Sequence, residues 1–180
     1  KFEKNGLYLL DSGGQYQEGT TDVTRTIVIG KPTKEQITDF TLVLKGHIGV
    51  ATSELSEKTT GKELDDLARK FLQKAGKDYE HGTGHGVGSF LGVHESPPSI
   101  SKRADNMTFK PGMIVSNEPG YYKNGEYGIR IESLLLVEKA PDDKSMKFRT
   151  LTLAPIDLRL IDFNMLDEAE QKWLKNYHLK

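Results

Sequence analysis

The chain has 180 residues with 25 basic and 26 acidic side chains, a formal net charge of −1 and no cysteine. That length suffices for one domain with a real core, and the balanced charge argues against a nucleic-acid or membrane-surface partner. Without cysteine there are no disulfides, thiolate zinc sites or cysteine nucleophiles, and a reducing, cytoplasmic setting fits. The longest aliphatic run, Leu134–Val137, is far too short to span a bilayer.

In chain order, Leu7–Asp11 and Thr21–Ile29 read as strands, with the glycine-bearing stretch 12–20 as the hairpin loop between them. Thr33 with Gln36 forms a capping box, and Ile37, Phe40, Leu44, Ile48 and Ala51 give a helical apolar stripe. A second helix starts at the Thr60/Glu63 box, carries Leu64, Leu67, Ala68, Phe71, Leu72 and Ala75 on one face, and stops at Gly76. Strands are expected at Met113–Asn117, Gly128–Val137 and Phe148–Leu153, and loops at 94–112 and 140–147. A final amphipathic helix carries Leu166, Ala169, Trp173 and Tyr177. Antiparallel hairpins with interspersed helices indicate an α+β domain, helices packed on one face of a curved sheet. The opening KFEKNG has no initiator Met and runs at once into a strand, so the chain is expected to be a piece of a longer protein.

The segment HGTGHGVGSFLGVHE, residues 81–95, holds three of the five histidines. It matches neither the phosphate loop GxxxxGK[ST], nor the dinucleotide pattern GxGxxG, nor the nucleophile elbow GxSxG. A helix is disfavoured, because each of Gly82, Gly84, Gly86 and Gly88 would cost about 1 kcal/mol there. In an extended chain His81, Thr83 and His85 share one face and the glycines the other, where a second backbone can approach.

Four carboxylates are candidates to meet these imidazoles. Asp11 ends one strand and Asp22 sits in the next. Glu118 precedes a Pro-Gly turn, and Glu132 shares a strand face with Arg130 and Leu134. Two carboxylates about 4 Å apart repel by roughly 4 kcal/mol at an effective dielectric of about 20. Two divalent cations would balance all four, and an oxygen-rich set with one imidazole suits Mn²⁺, with Co²⁺, Fe²⁺ or Zn²⁺ as competitors. Such a pair deprotonates water and polarises a carbonyl, which is amide-hydrolase chemistry. The plainer reading leaves the aspartates serving turns and the glutamates on the surface.

LYLLDSGGQYQEGTTDVTRT, HGTGHGVGSFLGVHE, SNEPGYY and GIRIES, in this order, resemble the catalytic domain of X-prolyl aminopeptidases of the long eukaryotic type, the creatinase or pita-bread metallopeptidases. The resemblance implies a pita-bread fold with metal ligands Asp11, Asp22, His85, Glu118 and Glu132. Asp22 and Glu132 would bridge two ions, usually Mn²⁺, and Glu118 would handle the proton of the attacking water. His81 and His94 would hydrogen-bond the substrate, with Arg130 and Tyr122 holding ligands in place. The implied reaction removes an N-terminal residue when proline is second, on peptide substrates with X-Pro N-termini. Such enzymes carry a helical first half of the domain, N-terminal domains and a dimer contact outside these residues. Residues 1–180 are therefore expected to be the C-terminal portion of the catalytic domain, inactive or poor at binding metal in isolation. Since some pita-bread proteins are non-catalytic, a protein-interaction role is the second reading.

Elsewhere, His47 and His178 read as helix-surface or packing histidines, and Asp65-Asp66 and Asp142-Asp143 as solvated. Trp173 and Tyr177 read as a packing face, and Phe90 suits either an apolar substrate pocket or the core.

Overall fold

A computed structural model describes residues 4–141 and 145–180. Asp142 and Asp143 lie outside the described residues. The order is β1 (Gly6–Gln15), β2 (Thr20–Ile29), α1 (Lys34–Ala51), β3 (Glu54–Leu55), α2 (Gly61–Lys74), β4 (Gly84–Gly86), β5 (Glu95–Ile100) and β6 (Ile114–Asn117). There follow β7 (Gly120–Lys123), β8 (Tyr127–Arg130), β9 (Ser133–Lys139), β10 (Met146–Thr150), two short 3₁₀ turns and α3 (Glu168–His178). Every ladder among the described residues is antiparallel. β1–β2 and β7–β8 are two-stranded, and the central sheet runs β3-β10-β9-β6-β4-β5.

The helices start where the capping chemistry puts them. Thr33, Thr60 and Asp167 each accept from the backbone three residues on, and Gln36, Glu63 and Glu170 reciprocate. Gly76, at φ +70°, ends α2. Two apolar cores lie under these helices. One joins Phe40, Leu44, Ile129, Ile131, Leu160, Leu174 and Tyr177; the other joins Val50, Leu55, Leu64, Ala68, Ile100, Val115 and Leu135.

Three expectations need correction. The hairpin loop is not 12–20 but the four residues Tyr16–Gly19, so Asp11 lies within a ten-residue strand rather than at its end. The chain stays extended through Gly13-Gly14, with Gly13 opposite Asp22. The stretch 94–112 contains β5 despite Pro97 and Pro98, because β5 is an edge strand and both prolines fall in the irregularity between its Glu95 and Ser99 pairings with β4, where no ladder bond is lost. Finally, the expected strand Gly128–Val137 breaks at Ile131-Glu132 into β8 and β9, which join different sheets.

Candidate metal centre

Asp11 pairs with Thr24 and Asp22 with Gly13, so Asp11, Thr24 and Asp22 lie on one face of the β1–β2 ribbon. Glu132 reaches the same face because the chain breaks there. Its N–H donates to the Thr24 carbonyl (3.0 Å), and the Thr24 hydroxyl donates to Glu132 Oε2 (2.7 Å). From behind, the buried Arg25 donates to the carbonyls of Thr24 and Glu132 and to Tyr177 Oη. Tyr177 is thus more than a packing residue: α3 helps to pin the Glu132 backbone.

β4 carries His85 between two neighbours. A β-carbon on Gly84 would stand 2.0 Å from the Ser116 carbonyl oxygen, and one on Gly86 2.5 Å from that of Glu95. The glycines therefore do allow close backbone approach on both sides. The expected three-residue face is only partly formed. Thr83 is buried and turns away to Asp65 Oδ1 (2.6 Å), since regular strand begins only at Gly84. The His85 Nδ1–H donates to the Gly86 carbonyl (2.9 Å), which aims Nε2 at Asp22 Oδ2 (3.4 Å) and Glu118 Oε1 (3.2 Å). Glu118 is held by its N–H to the Thr83 carbonyl (2.7 Å) and by the Ser116 hydroxyl (3.0 Å).

Asp11, Asp22, His85, Glu118 and Glu132 together line a cleft of about 370 Å³, with His94, Gln15 and Thr20 at its wall. The His94 ring stands edge-on to His85, 4.3 Å between centroids. His81 is not in that lining. Its Nε2 accepts from the Tyr122 hydroxyl (2.8 Å), which in turn accepts from Arg130 (2.8 Å), and Arg130 donates to Asp11 Oδ2 (2.6 Å). Arg130 and Tyr122 thus stand where they can orient ligands.

The electrostatics of the cleft call for cations. Burial, then the charges of Glu118, Asp22 and Asp11, pushes the Glu132 carboxyl up to about 8, against the Thr24 hydrogen bond. Burial alone would lower the His85 imidazole, but hydrogen bonds to Asp22 and Glu118 dominate and raise it to about 10. Glu132 Oε1 is buried without a hydrogen-bond partner. Donor atoms of Asp22, His85 and Glu132 lie within 4.8 Å of one another. An unpartnered carboxylate oxygen among crowded oxygens and one imidazole is a donor set that fits a hard divalent cation.

A model of metallopeptidase family M24 matches residues 1–139, and one of the C-terminal region of peptidase M24 matches residues 144–180. The chain belongs to metallopeptidase family M24. "Probable Xaa-Pro aminopeptidase P" of Laccaria bicolor is 50% identical over 98% of the chain and 29% of its own length. The homologue of that name in Coprinopsis cinerea is 48% identical over 98% of the chain and 30% of its own length. The X-prolyl aminopeptidase of Caenorhabditis elegans, described as a cytosolic enzyme with a dinuclear active site, superposes with a TM-score of 0.91. That match has 44% identity and covers 96% of this chain and 29% of that one. A prolidase from Pyrococcus furiosus superposes with a TM-score of 0.69 at 33% identity, over 79% of the chain and 40% of its own. The fold is the pita-bread fold of M24, and the chain spans under a third of the length of the two fungal relatives and of the nematode enzyme.

Several residues that shape the site had little signal in the sequence. Arg25 stands out only as a charge in the β-branched run of β2. Asp65, read as solvated, is fully buried against Arg69, and only Asp66 is exposed. Phe90 joins neither core nor cleft: it is 63% exposed. His47 is a packing histidine, buried against Asn117, and His178 is a surface histidine at the end of α3 that accepts from the Ile156 N–H, both within the expectation.

Proposed function

We propose that residues 1–180 are the C-terminal, metal-carrying portion of an Xaa-Pro aminopeptidase catalytic domain, acting on peptides with proline second. The observation that carries this reading is the cleft itself, four carboxylates and one imidazole converging around the unpartnered Glu132 Oε1, in a chain of family M24. Asp11, Asp22, His85, Glu118 and Glu132 would hold two divalent ions, with Mn²⁺ the preferred metal. When bound, the ions would supply an activated water and polarise the scissile carbonyl.

The chain's own groups divide the remaining work. Glu118, oriented by Ser116 and the Thr83 carbonyl, takes the proton of the attacking water and passes it to the leaving nitrogen. His94, at the cleft wall, donates to the carbonyl oxygen as charge gathers there. His81 has Nδ1 turned to the Gly82 carbonyl (2.8 Å) and Nε2 to Tyr122, a fixed tautomer beside the substrate path. An amide on proline has no N–H, so recognition falls on the carbonyl and the free N-terminus, which suits a cleft of carboxylates and imidazoles.

No described helix is long and apolar enough to cross a membrane. The cytosolic description of the nematode enzyme supports a cytoplasmic setting for the parent protein, in which a homodimer is also proposed. The test is elemental analysis and peptide cleavage by the full-length protein, with Asp22→Asn alongside. Two metals per chain and cleavage of Arg-Pro-Pro type but not proline-free peptides are expected, with cleavage lost in Asp22→Asn. Near-wild-type turnover by that variant would refute the ligand assignment. Metal without turnover in the wild type would favour a binding role.

A further inference from the structure

Arg69 sits on the buried side of α2, 1% exposed, away from the cleft. Its Nε donates to Asp65 Oδ2 (2.7 Å) one turn back. Nη1 donates to Asp78 Oδ1 (2.7 Å) and the Tyr79 carbonyl (2.5 Å), and Nη2 to the His81 carbonyl (2.7 Å). The guanidinium also lies over the Tyr79 ring, 3.8 Å from its centroid. Four of the five N–H donors of an arginine thus have acceptors, three of them on the strap 78–81. Asp65 extends the grip through its second oxygen, which accepts from the Thr83 hydroxyl (2.6 Å), itself bonded to the Tyr79 hydroxyl.

This arrangement is a poor way to gain stability. Burying an ion pair costs several kcal/mol, and well-packed apolar residues of similar volume often do as well. It is a good way to fix a backbone, because a planar fork with several acceptors allows one geometry. The strap it fixes leads into the site at two points: His81, whose ring meets Tyr122, and Thr83, whose carbonyl accepts from Glu118 N–H (2.7 Å).

We infer that Arg69, through Asp65 and the strap 78–83, is a positioning residue that sets the placement of His81 and Glu118 for the reaction. The inference rests on the aminopeptidase reading for its kinetic consequence, while the geometric clamp is testable without it. Lysine at this position keeps the charge beside Asp65 and cannot span the strap's acceptors.

In the full-length protein loaded with Mn²⁺, Arg69→Lys should lower kcat by about 10- to 100-fold, the usual effect of losing an outer partner. KM and two metals per chain should hold. His81→Ala should cost far less in the Arg69→Lys background than alone, since the two act through one geometry; losses that multiply to within about twofold would overturn the clamp. A second readout needs no turnover: the rate of His81 carbethoxylation relative to His94, followed by mass spectrometry, with buried His47 reporting global unfolding. That ratio should rise in Arg69→Lys while His47 stays protected; an unchanged ratio overturns the inference. Should Arg69→Lys fail to fold, Asp78→Ala removes the Asp78 Oδ1 acceptor of Arg69 Nη1 at an exposed position and should raise the ratio in the same direction, and no change there is equally decisive against it. If the wild type cleaves no X-Pro peptide, the functional reading falls, and the modification ratio still decides the clamp.

Discussion

Glu132→Gln gives the sharpest test of the metal centre, because its effect on stability should change sign with metal. The side chain is 1% exposed, Oε2 accepts from Thr24, and Oε1 has no partner. Without cations, burial and the neighbouring carboxylates raise its pKa from 4.5 to about 8. A raised folded-state value means that the folded protein binds the extra proton, so its contribution is complete below pH 4.5 and is lost as pH rises through 8. At about 1.4 kcal/mol per pH unit, the loss over that window is on the order of a few kcal/mol. Glutamine keeps the shape and cannot ionise. Metal-free Glu132→Gln should therefore be more stable than wild type at pH 8.5, and the gap should close toward pH 5. With Mn²⁺ the order should reverse: two ions, each at about 1,000 times its Kd, add roughly 8 kcal/mol together, more than the loss to ionisation, and the variant forfeits most of it for want of the bridging charge. The assay is thermal unfolding of the full-length protein at both pH values, in chelator and in Mn²⁺. A variant less stable than wild type in chelator at pH 8.5, or one stabilised by Mn²⁺ as much as wild type, would refute the reasoning.

Two further outcomes follow from the same geometry. Burial, then the charge of Arg25, drops His47 to about 3; the unfolded chain then binds more protons between there and pH 6.5, and stability falls as pH drops through that window. Urea unfolding at pH 7 and pH 5 should show wild type losing up to about 1.4 kcal/mol per pH unit from this group, and His47→Gln a flatter dependence; equal slopes would contradict it. Gly84→Ala forces a β-carbon to 2.0 Å from the Ser116 carbonyl and should cost roughly 2–4 kcal/mol as β4 moves off β6. Its metal affinity should fall with it, because His85 is the next residue; a melting point and metal titration like those of wild type would show that the strands separate without strain.

What could be read directly from the residues was local. Two of the three described helices announce themselves through reciprocal caps between residues three apart, and the last through its apolar spacing; its Asp167/Glu170 cap is seen only in the structure. Asp11, Asp22, His85, Glu118 and Glu132 stood out as chemistry in unlikely surroundings: carboxylates on apolar strands and a histidine among glycines. The resemblance of the motifs tied those five to one centre before any geometry was available. Residues 81–95 were legible as backbone too, since only glycine admits the carbonyls of Ser116 and Glu95 so near.

Tertiary structure decided the matters that depend on distant partners. Whether an acidic residue on a helix is solvated or buried is not written in its neighbours: Asp65 and Asp66 differ only in which side of α2 they occupy. Asp65 is buried because Arg69 and Thr83 complete its hydrogen bonds. The break at Ile131-Glu132 lies inside an unbroken strand-like run, and it exists because Thr24 and Arg25, more than 100 residues earlier, hold the Glu132 backbone. Local propensity and capping act over a few residues along the chain, whereas the energy of a buried charge is set by groups that only folding brings within hydrogen-bond reach.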